Sequence, residues 1–507
     1  MVEKKPDAYD LKFKLANLQM AKKDPASAEQ TLKEVVEQDK LGPSGIKARD
    51  KLAAIYVLSK RQAEAKALIK EVLEVNPRDS DALSLRGEFA LMDHKAPEAI
   101  ADFRSVLVDQ PGNIPILKML AAAHMMNNED TLAKENLEKV VAQSPKDEAA
   151  WLDLAGLYIK AGQKEQGKQQ VENLLKNNPN SLKGQEALFK IALNDKQWDK
   201  AQEVAKRVQQ LYSKDAVGWY MSGLGYQAAN KQDAATEAFL QALQRKPDAI
   251  EPLNELIKTY MDMKQPEKAI DKLQQIVKQM PTHVVAYNLL GGVYLSQQKF
   301  SESKAAFTKA LDLKPDWFAP YRSLAVIEMA QKNRPEAIAI LTKGIDKTKG
   351  SLELVVDLGR IYRAAGEHQK VIALFEDSYK LHPDAVVVVN NLASYLTEYP
   401  QAPGDLERAE KLTEPLLNTN NPALLDTAGW IAYKQGNYTK AKELLLKVID
   451  IEPRALIPHY HLGMIYAKLN ETAQAIDQLQ KVVNSKAAFD GMDTAKDTLK
   501  KLQDHLL

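Results

Sequence analysis

The sequence predicts an all-α, superhelical solenoid of about fourteen helix pairs closed by a C-terminal helix, on three observations. Prolines keep a beat of 34 residues, falling at Pro77, Pro111, Pro145 and Pro179, then Pro247, Pro281 and Pro315, then Pro383. Ser213 and Lys349 hold the two places where the series keeps its phase and loses its proline. Between prolines, apolar residues recur at spacings of three and four on one face of two successive segments, as in amphipathic helices. A small residue holds one fixed position of the second segment: Ala28, Ala65, Ala99, Ala133, Gly167, Ala201, Ala235, Ala269, Ser303, Ala337, Ala409, Ala441 and Ala475, with Val371 the exception. A self-similar period of this length marks a stacked repeat architecture.

The units begin near residues 9, 46, 80, 114, 148, 182, 216, 250, 284, 318, 352, 386, 422 and 456. Unit 148–181 shows how each is built. Trp151, Leu154, Ala155 and Tyr158 share one face of a first helix. Gly162 stands where the chain must leave that helix, a place suited to positive φ. Val171, Leu174 and Leu175 face inward on a second helix, which Pro179 ends. Proline cannot continue the hydrogen-bond ladder, and its fixed φ suits entry to the next helix. The recurring small residue marks the closest approach of the paired helices, toward the short end of the usual ~8–10 Å between axes. It is a packing residue rather than a ligand slot.

Some stretches depart from the pattern. In unit 182–215, Gln185 replaces an aromatic, Phe189 a small residue and Ser213 the proline. Repeat stability is roughly a sum of local terms, so this unit is expected to open before its neighbours. Ile257 fills the small position of unit 250–283. The lengthened turn 397–409 carries Pro400, Pro403 and Gly404, read either as drift in a tolerant loop or as a bend or protruding contact. At the end, Met492, Ala495, Leu499, Leu502 and Leu506 fall on one face, so 492–507 reads as a helix capping the last repeat. Its polar side mixes Lys with Asp, unlike a membrane-surface helix. All of 1–507 is expected to form a single solenoid.

These spacings resemble the tetratricopeptide repeat, and the likeness covers almost the whole chain. The W-xx-LG-xx-Y first helix of that repeat is matched best by Trp151/Leu154/Ala155/Tyr158, Tyr287/Leu290/Gly291/Tyr294 and His459/Leu462/Gly463/Tyr466. Its later small, aromatic, small and proline positions are matched by Ser303, Phe307, Ala310 and Pro315. The resemblance implies a right-handed superhelix with a concave groove, lined by first helices, that holds an extended or helical segment of a protein partner. In the C-terminal third the groove-facing positions are Arg322, Arg360, Arg363, Asn390, Asn391, Ser394, Asp426, Trp430, Tyr433 and Tyr460. Arginine can grip carboxylates or stack, asparagine can bond a partner's amides, and exposed aromatics add contact area. A solvated groove wall without a dedicated ligand is the alternative. Met125, Met261 and Met329 stand at similar positions nearer the N-terminus, suited to an adaptable groove or to core filling. No adjacent trio of units supplies the Lys/Asn carboxylate clamp of chaperone-binding members, which argues against a chaperone's C-terminal tail.

Composition narrows the remaining classes. Lys+Arg 69 against Asp+Glu 68 argues against a nucleic-acid partner. The absence of cysteine removes disulfides, thiolate catalysis, Fe–S clusters and Cys-based zinc sites, and fits an exported bacterial protein somewhat better than a cytosolic one. No apolar run is long enough to span a membrane. "MVEKKPDAYD" has no apolar core and is not a signal peptide. The chain is therefore read as a mature exported form bearing an added start Met, in preference to a cytosolic protein.

Catalytic motifs are missing. "GLGYQAAN" begins as G-x-G but lacks the third glycine and a preceding strand. His459 and His461, two apart on a helix, point nearly opposite ways and do not suit a shared metal. Neither enzyme activity nor a cofactor is expected. The sequence thus predicts a non-enzymatic scaffold. The long array and the run "NNPALLDTAGWIAYKQGNYTKA" are similar to bacterial envelope proteins of the exosortase-linked (PEP-CTERM) type and to repeat scaffolds of exopolysaccharide secretion. That similarity implies a periplasmic or lipid-anchored organiser of polysaccharide export, its anchor lying outside these residues, with a cytosolic assembly factor as the alternative. A direct carbohydrate-binding solenoid, using Trp430, Tyr433 and Tyr460 as stacking platforms, is the reading from another class.

Overall fold

The computed structural model describes residues 9–485 and 489–504. Among the described residues there are 29 α-helices and one short 3-10 helix, and no strand. First helices open at Ser80, Ile114, Glu148 and Leu182, and again at Ile250, Val284, Phe318, Leu352 and Val386, on the beat read from the prolines; those at Pro422 and Leu456 come two residues late, after the lengthened turn. The helix pairs form two compact units, Met1–Pro252 and Leu253–Leu507, divided within the first turn of helix Ile250–Asp262. Each is an α-solenoid in which a pair packs against its neighbours in sequence.

Starts and stops follow from local chemistry. Two residues after the proline, a short polar side chain caps the next first helix by accepting a backbone N–H: Asp79 from Ala82, Asn113 from Ile116, Asp147 from Ala150 and Ser181 from Gly184. The turn between paired helices passes through the left-handed region at Gly162, φ +77°, as read from the sequence. Glycine is not required there, however. Lys196, Asn230, Lys264, Gln298 and Lys332 take the same position at φ between 57° and 61°. The reason is the bonding that closes the turn. The next N–H reaches back five residues, Gln163 to the Tyr158 carbonyl and Gln265 to that of Tyr260, both at 2.8 Å. That bond satisfies an otherwise orphaned helix-end carbonyl and offsets the cost of the strained φ.

Packing turns on fixed slots between paired helices. The recurring small residue is fully buried in unit after unit; Ala28, Ala201, Ala337 and Ala475 are all 0% exposed. A Cβ on Gly167 would lie 2.6 Å from Ile159 Cγ1 and 2.9 Å from the Ala155 carbonyl oxygen. A second slot links residues sixteen apart. Gly87 faces Phe103, Gly291 faces Phe307 and Gly359 faces Phe375; the first two leave no room for a methyl beside the ring, and the third leaves little. The phenyl rings are buried to 2% exposure or less.

This arrangement changes the reading of unit 182–215. Phe189 fills the place of the glycine, and its partner sixteen residues on is Ala205; both are buried in one cluster. The large and small residues are exchanged, and the slot is still filled. Gln185 likewise does the work of the aromatic it replaces. Trp151 Nε1 donates to the Pro145 carbonyl at 2.9 Å and Tyr321 OH to that of Pro315 at 3.0 Å. Gln185 Nε2 makes the equivalent bond to Pro179, at 3.4 Å. Early opening of this unit therefore rests on Ser213 alone.

The lengthened turn is held by Asp405, whose carboxylate accepts from the N–H of Gln401 and of Ala402, with Gly404 at φ +94°. Tyr399 at its start stacks on His368, centroids 3.6 Å apart. The capping helix is Met492–Asp504; Met492, Ala495 and Leu499 pack with Leu479, Val482, Trp430 and Tyr460. Leu506, assigned to the same face, lies outside the described residues.

One buried carboxylate is electrostatically strained. Asp50, on helix Pro43–Leu58, is 6% exposed and its Oδ1 has no hydrogen-bond partner. Burial, reinforced by the carboxylates of Asp79 and Asp81, raises its pKa to about 7. The folded form thus binds a proton that the unfolded form has released, so this group's contribution to stability is fullest below the unfolded carboxylate pKa and is lost as pH rises through about 7. Asp50→Asn should remove this dependence and stabilise the protein at pH 8 by roughly 1–2 kcal/mol, solvent screening trimming the full linkage value. Denaturant melts of both proteins from pH 5 to 8 check it: parallel curves would show that Asp50 is ionised without penalty.

Candidate functional site

Four first helices of the C-terminal unit, Leu352–Ala364, Val386–Glu398, Pro422–Lys434 and Leu456–Lys468, line a cavity of about 330 Å³. The turn before the capping helix closes its end with Phe489, Asp490 and Gly491. The register that buries the apolar face of each helix turns Arg363, Asn390, Ser394, Asp426 and Ile457 into this space.

An aromatic stack forms one wall. Trp430 lies against Tyr433 at 4.5 Å with planes 6° apart, and against His461 at 4.0 Å with planes 18° apart. Two rings at those distances would collide on one side, so they cover opposite faces of the indole. Trp430 Nε1 donates to Glu398 Oε1, and Lys434 Nζ sits 5.3 Å from the indole centroid and 3.6 Å from Glu398. Asp426 pairs with His461 Nδ1 at 2.8 Å. Tyr460 tilts onto Trp430 at 5.7 Å, and burial pushes its phenol pKa up, as it does for Tyr433.

Two polar atoms remain unpaired. Tyr395, 7% exposed, lines the cavity within electrostatic reach of Arg363 and Asp490, and its hydroxyl is buried without a hydrogen-bond partner. Asn390 Oδ1 is in the same position. Buried polar groups are nearly always satisfied in native proteins, and an orphan beside a cavity can take its missing bond from a water or a ligand.

The structure brings together Arg363, Asn390, Ser394, Asp426, Trp430 and Tyr460 of the sequence-derived positions, with Tyr433 behind Trp430. Two expectations need correction. Trp430 and Tyr460 are not exposed aromatics: each is 8% exposed, covered by neighbouring rings and by the capping helix. Each of the arginines already has a carboxylate partner within the chain. Arg322 and Arg360 share Asp357, at 2.6 and 3.2 Å, and Arg363 holds Asp490 at 3.0 Å. Asn391 is turned back on its own helix, donating to the Val387 carbonyl, and with Arg322 and Arg360 lies outside the cavity wall. Met125 packs against the core of its own unit, Met329 is 39% exposed, and Met261 lines a separate cavity of about 280 Å³ with Asn254 and Asn288.

Tyr395, Glu398, His461 and the Phe489–Gly491 turn were not evident from the sequence. Tyr395 shares a helix face with Leu392 and reads as core; the turn belongs to no repeat position. Among the described residues no group of three or more His, Asp or Glu is placed to hold a metal, and no helix is long and apolar enough to cross a membrane.

A cavity walled by the first helices of a helix-pair solenoid is the geometry of a tetratricopeptide array, and models of that repeat match this chain. One covers residues 131–191 and 260–327, another 61–114 and 427–491, so tetratricopeptide repeats are present in both units. The chain is similar to lipopolysaccharide assembly protein B of Escherichia coli K12, 26% identical over 285 residues that span 54% of this chain and 69% of that protein. Among solved structures it is similar to Naa15/Naa10 bound to HypK-THB (TM-score 0.41, 12% identity, 97% of this chain and 96% of that one). Yeast Tom70 is another (TM-score 0.36, 15% identity, 84% and 96%).

Removing the orphaned hydroxyl tests the assignment of the cavity. Tyr395→Phe should raise the stability of the protein by about 1 kcal/mol, because a buried unpaired polar atom is deleted without loss of volume. Chemical denaturation followed by circular dichroism measures it. A loss of 1 kcal/mol or more would mean that the hydroxyl has a structural partner.

Proposed function

We propose that this protein is a non-enzymatic interaction scaffold that holds a segment of a protein partner in the cavity on the first helices of its C-terminal unit. The observation that carries this reading is the pair of buried, unpaired polar atoms, Tyr395 OH and Asn390 Oδ1, on one cavity wall. A peptide backbone supplies what they lack, an N–H for the asparagine oxygen and a carbonyl for the phenol. Their desolvation is already part of the folded state, so a partner that satisfies them recovers free energy on binding.

The likeness to lipopolysaccharide assembly protein B supports placing the scaffold in the bacterial envelope, where it organises the assembly or export of a polysaccharide. Exopolysaccharide or exosortase-linked export, on a periplasmic or lipid-anchored protein, is the specific form we favour. Direct glycan binding is less well supported. Sugars stack on open aromatic faces, and both faces of Trp430 are covered.

Photo-crosslinking in the native organism tests the reading. Benzoylphenylalanine at Ser394, inside the cavity, should give a discrete adduct with one or a few proteins. The same probe at Glu443, exposed on a second helix, should not. No adduct at Ser394, or the same adducts from both positions, would rule the cavity out as the docking site.

A further inference from the structure

The cavity already contains a short piece of this chain. Gly491 lies against Tyr460, where a Cβ would sit 2.5 Å from Cε1, so only glycine allows the approach. Phe489 meets Tyr460 edge-on, centroids 5.4 Å apart and planes at 63°. Asp490 places its carboxylate 3.0 Å from Arg363, a residue 127 positions earlier.

Phe489 also divides the space. An adjoining cavity of about 610 Å³ is bounded by helix Pro422–Lys434, the start of helix Leu456–Lys468 and the same phenyl ring. Ala423, Asp426 and Ile457 line both cavities with it. With the ring elsewhere the two would be one continuous groove.

The internal segment fills this groove incompletely. It supplies an aromatic ring and a carboxylate, yet it leaves Tyr395 OH and Asn390 Oδ1 unpaired. Its ion pair is weakly held, since the side chains of Arg363 and Asp490 are 62% and 77% exposed and such pairs exchange readily with solvent. The other carboxylates in the wall are engaged, Glu398 by Trp430 and Lys434 and Asp426 by His461. Arg363 is thus paired in the wall only with the exposed Asp490, which an incoming acid would have to displace.

We propose that Phe489–Gly491 is an internal stand-in for the partner, and that the site recognises an extended protein segment carrying an aromatic, a carboxylate and a small residue in succession. This rests on the cavity being the partner site. An external segment placing its aromatic where Phe489 lies and its acid on Arg363 reproduces the internal contacts. Its flanking backbone then reaches Asn390 and Tyr395, which the internal segment does not. That surplus lets it displace a tethered competitor whose advantage is effective concentration alone.

The test uses the full chain and a fluorescein-labelled octapeptide with a central Phe-Asp-Gly, read by fluorescence anisotropy. A Phe489→Ala/Asp490→Ala variant, its site vacated, should bind the peptide about tenfold more tightly than wild type, because the tethered competitor is gone. Adding Arg363→Glu should abolish that binding and shift preference to a Phe-Lys-Gly peptide. Should the double variant lose helicity, Asp490→Lys alone changes an exposed side chain and should also raise affinity.

Folded variants that bind Phe-Asp-Gly no better than wild type, or no better than Phe-Lys-Gly, overturn the proposal. So does sedimentation showing that wild type fills the groove from a second copy of itself. If the peptide fails while Ser394 still crosslinks a partner, the recognition sequence is wrong and the docking site stands. If both fail, the cavity reading falls with it.

Discussion

Everything in this chain depends on how closely two helices can lie together in each repeat. A fully buried alanine, glycine or serine sets the spacing in nearly every pair. A second slot sixteen residues wide then fixes total volume: glycine where the partner is phenylalanine, alanine where the partner is phenylalanine on the other helix. Interiors at crystal-like density tolerate exchange within a slot far better than a change in its volume. The short turn between paired helices passes through a left-handed residue in most units. Lysine and glutamine adopt it as readily as Gly162, because the backbone bond across the turn over-determines φ.

With apolar residues spent between the helices, the outward positions of each first helix are released for chemistry. In the C-terminal unit they converge on one cavity, and its polar groups pair across repeats: His461 with Asp426 and Trp430 with Glu398. Each such bond joins neighbouring units, so the wall is preorganised by the same stacking that makes the solenoid. Two buried atoms on the cavity wall, on Asn390 and Tyr395, are left without a partner. In the proposed function, a bound segment supplies the bonds that these two atoms lack.

Much of the fold was legible because it is periodic. Proline phase, helix starts and the small-residue stripe all repeat, and each repeat tests the others. What failed was whatever depends on a partner elsewhere in the chain. Gln185 and Phe189 look like losses until Pro179 and Ala205 are seen beside them. Trp430 sits at an outward position, yet Tyr433 and His461 cover it, the latter from the following repeat. Six of the ten positions expected at the site do line the cavity. The Phe489–Gly491 turn could not be anticipated, since no repeat position places it there.

The claim that slot volume governs the array, rather than residue type at a given position, is tested most directly by reversing the inverted pair. Phe189→Gly/Ala205→Phe restores the usual order, and urea unfolding of the two single variants and the double closes a cycle. Either single change should cost about 2–4 kcal/mol, one by opening a cavity and the other by overpacking. The double variant should fall within about 1 kcal/mol of the parent, a coupling of several kcal/mol. Additive losses, with the double variant as unstable as the sum of the singles, would contradict the account.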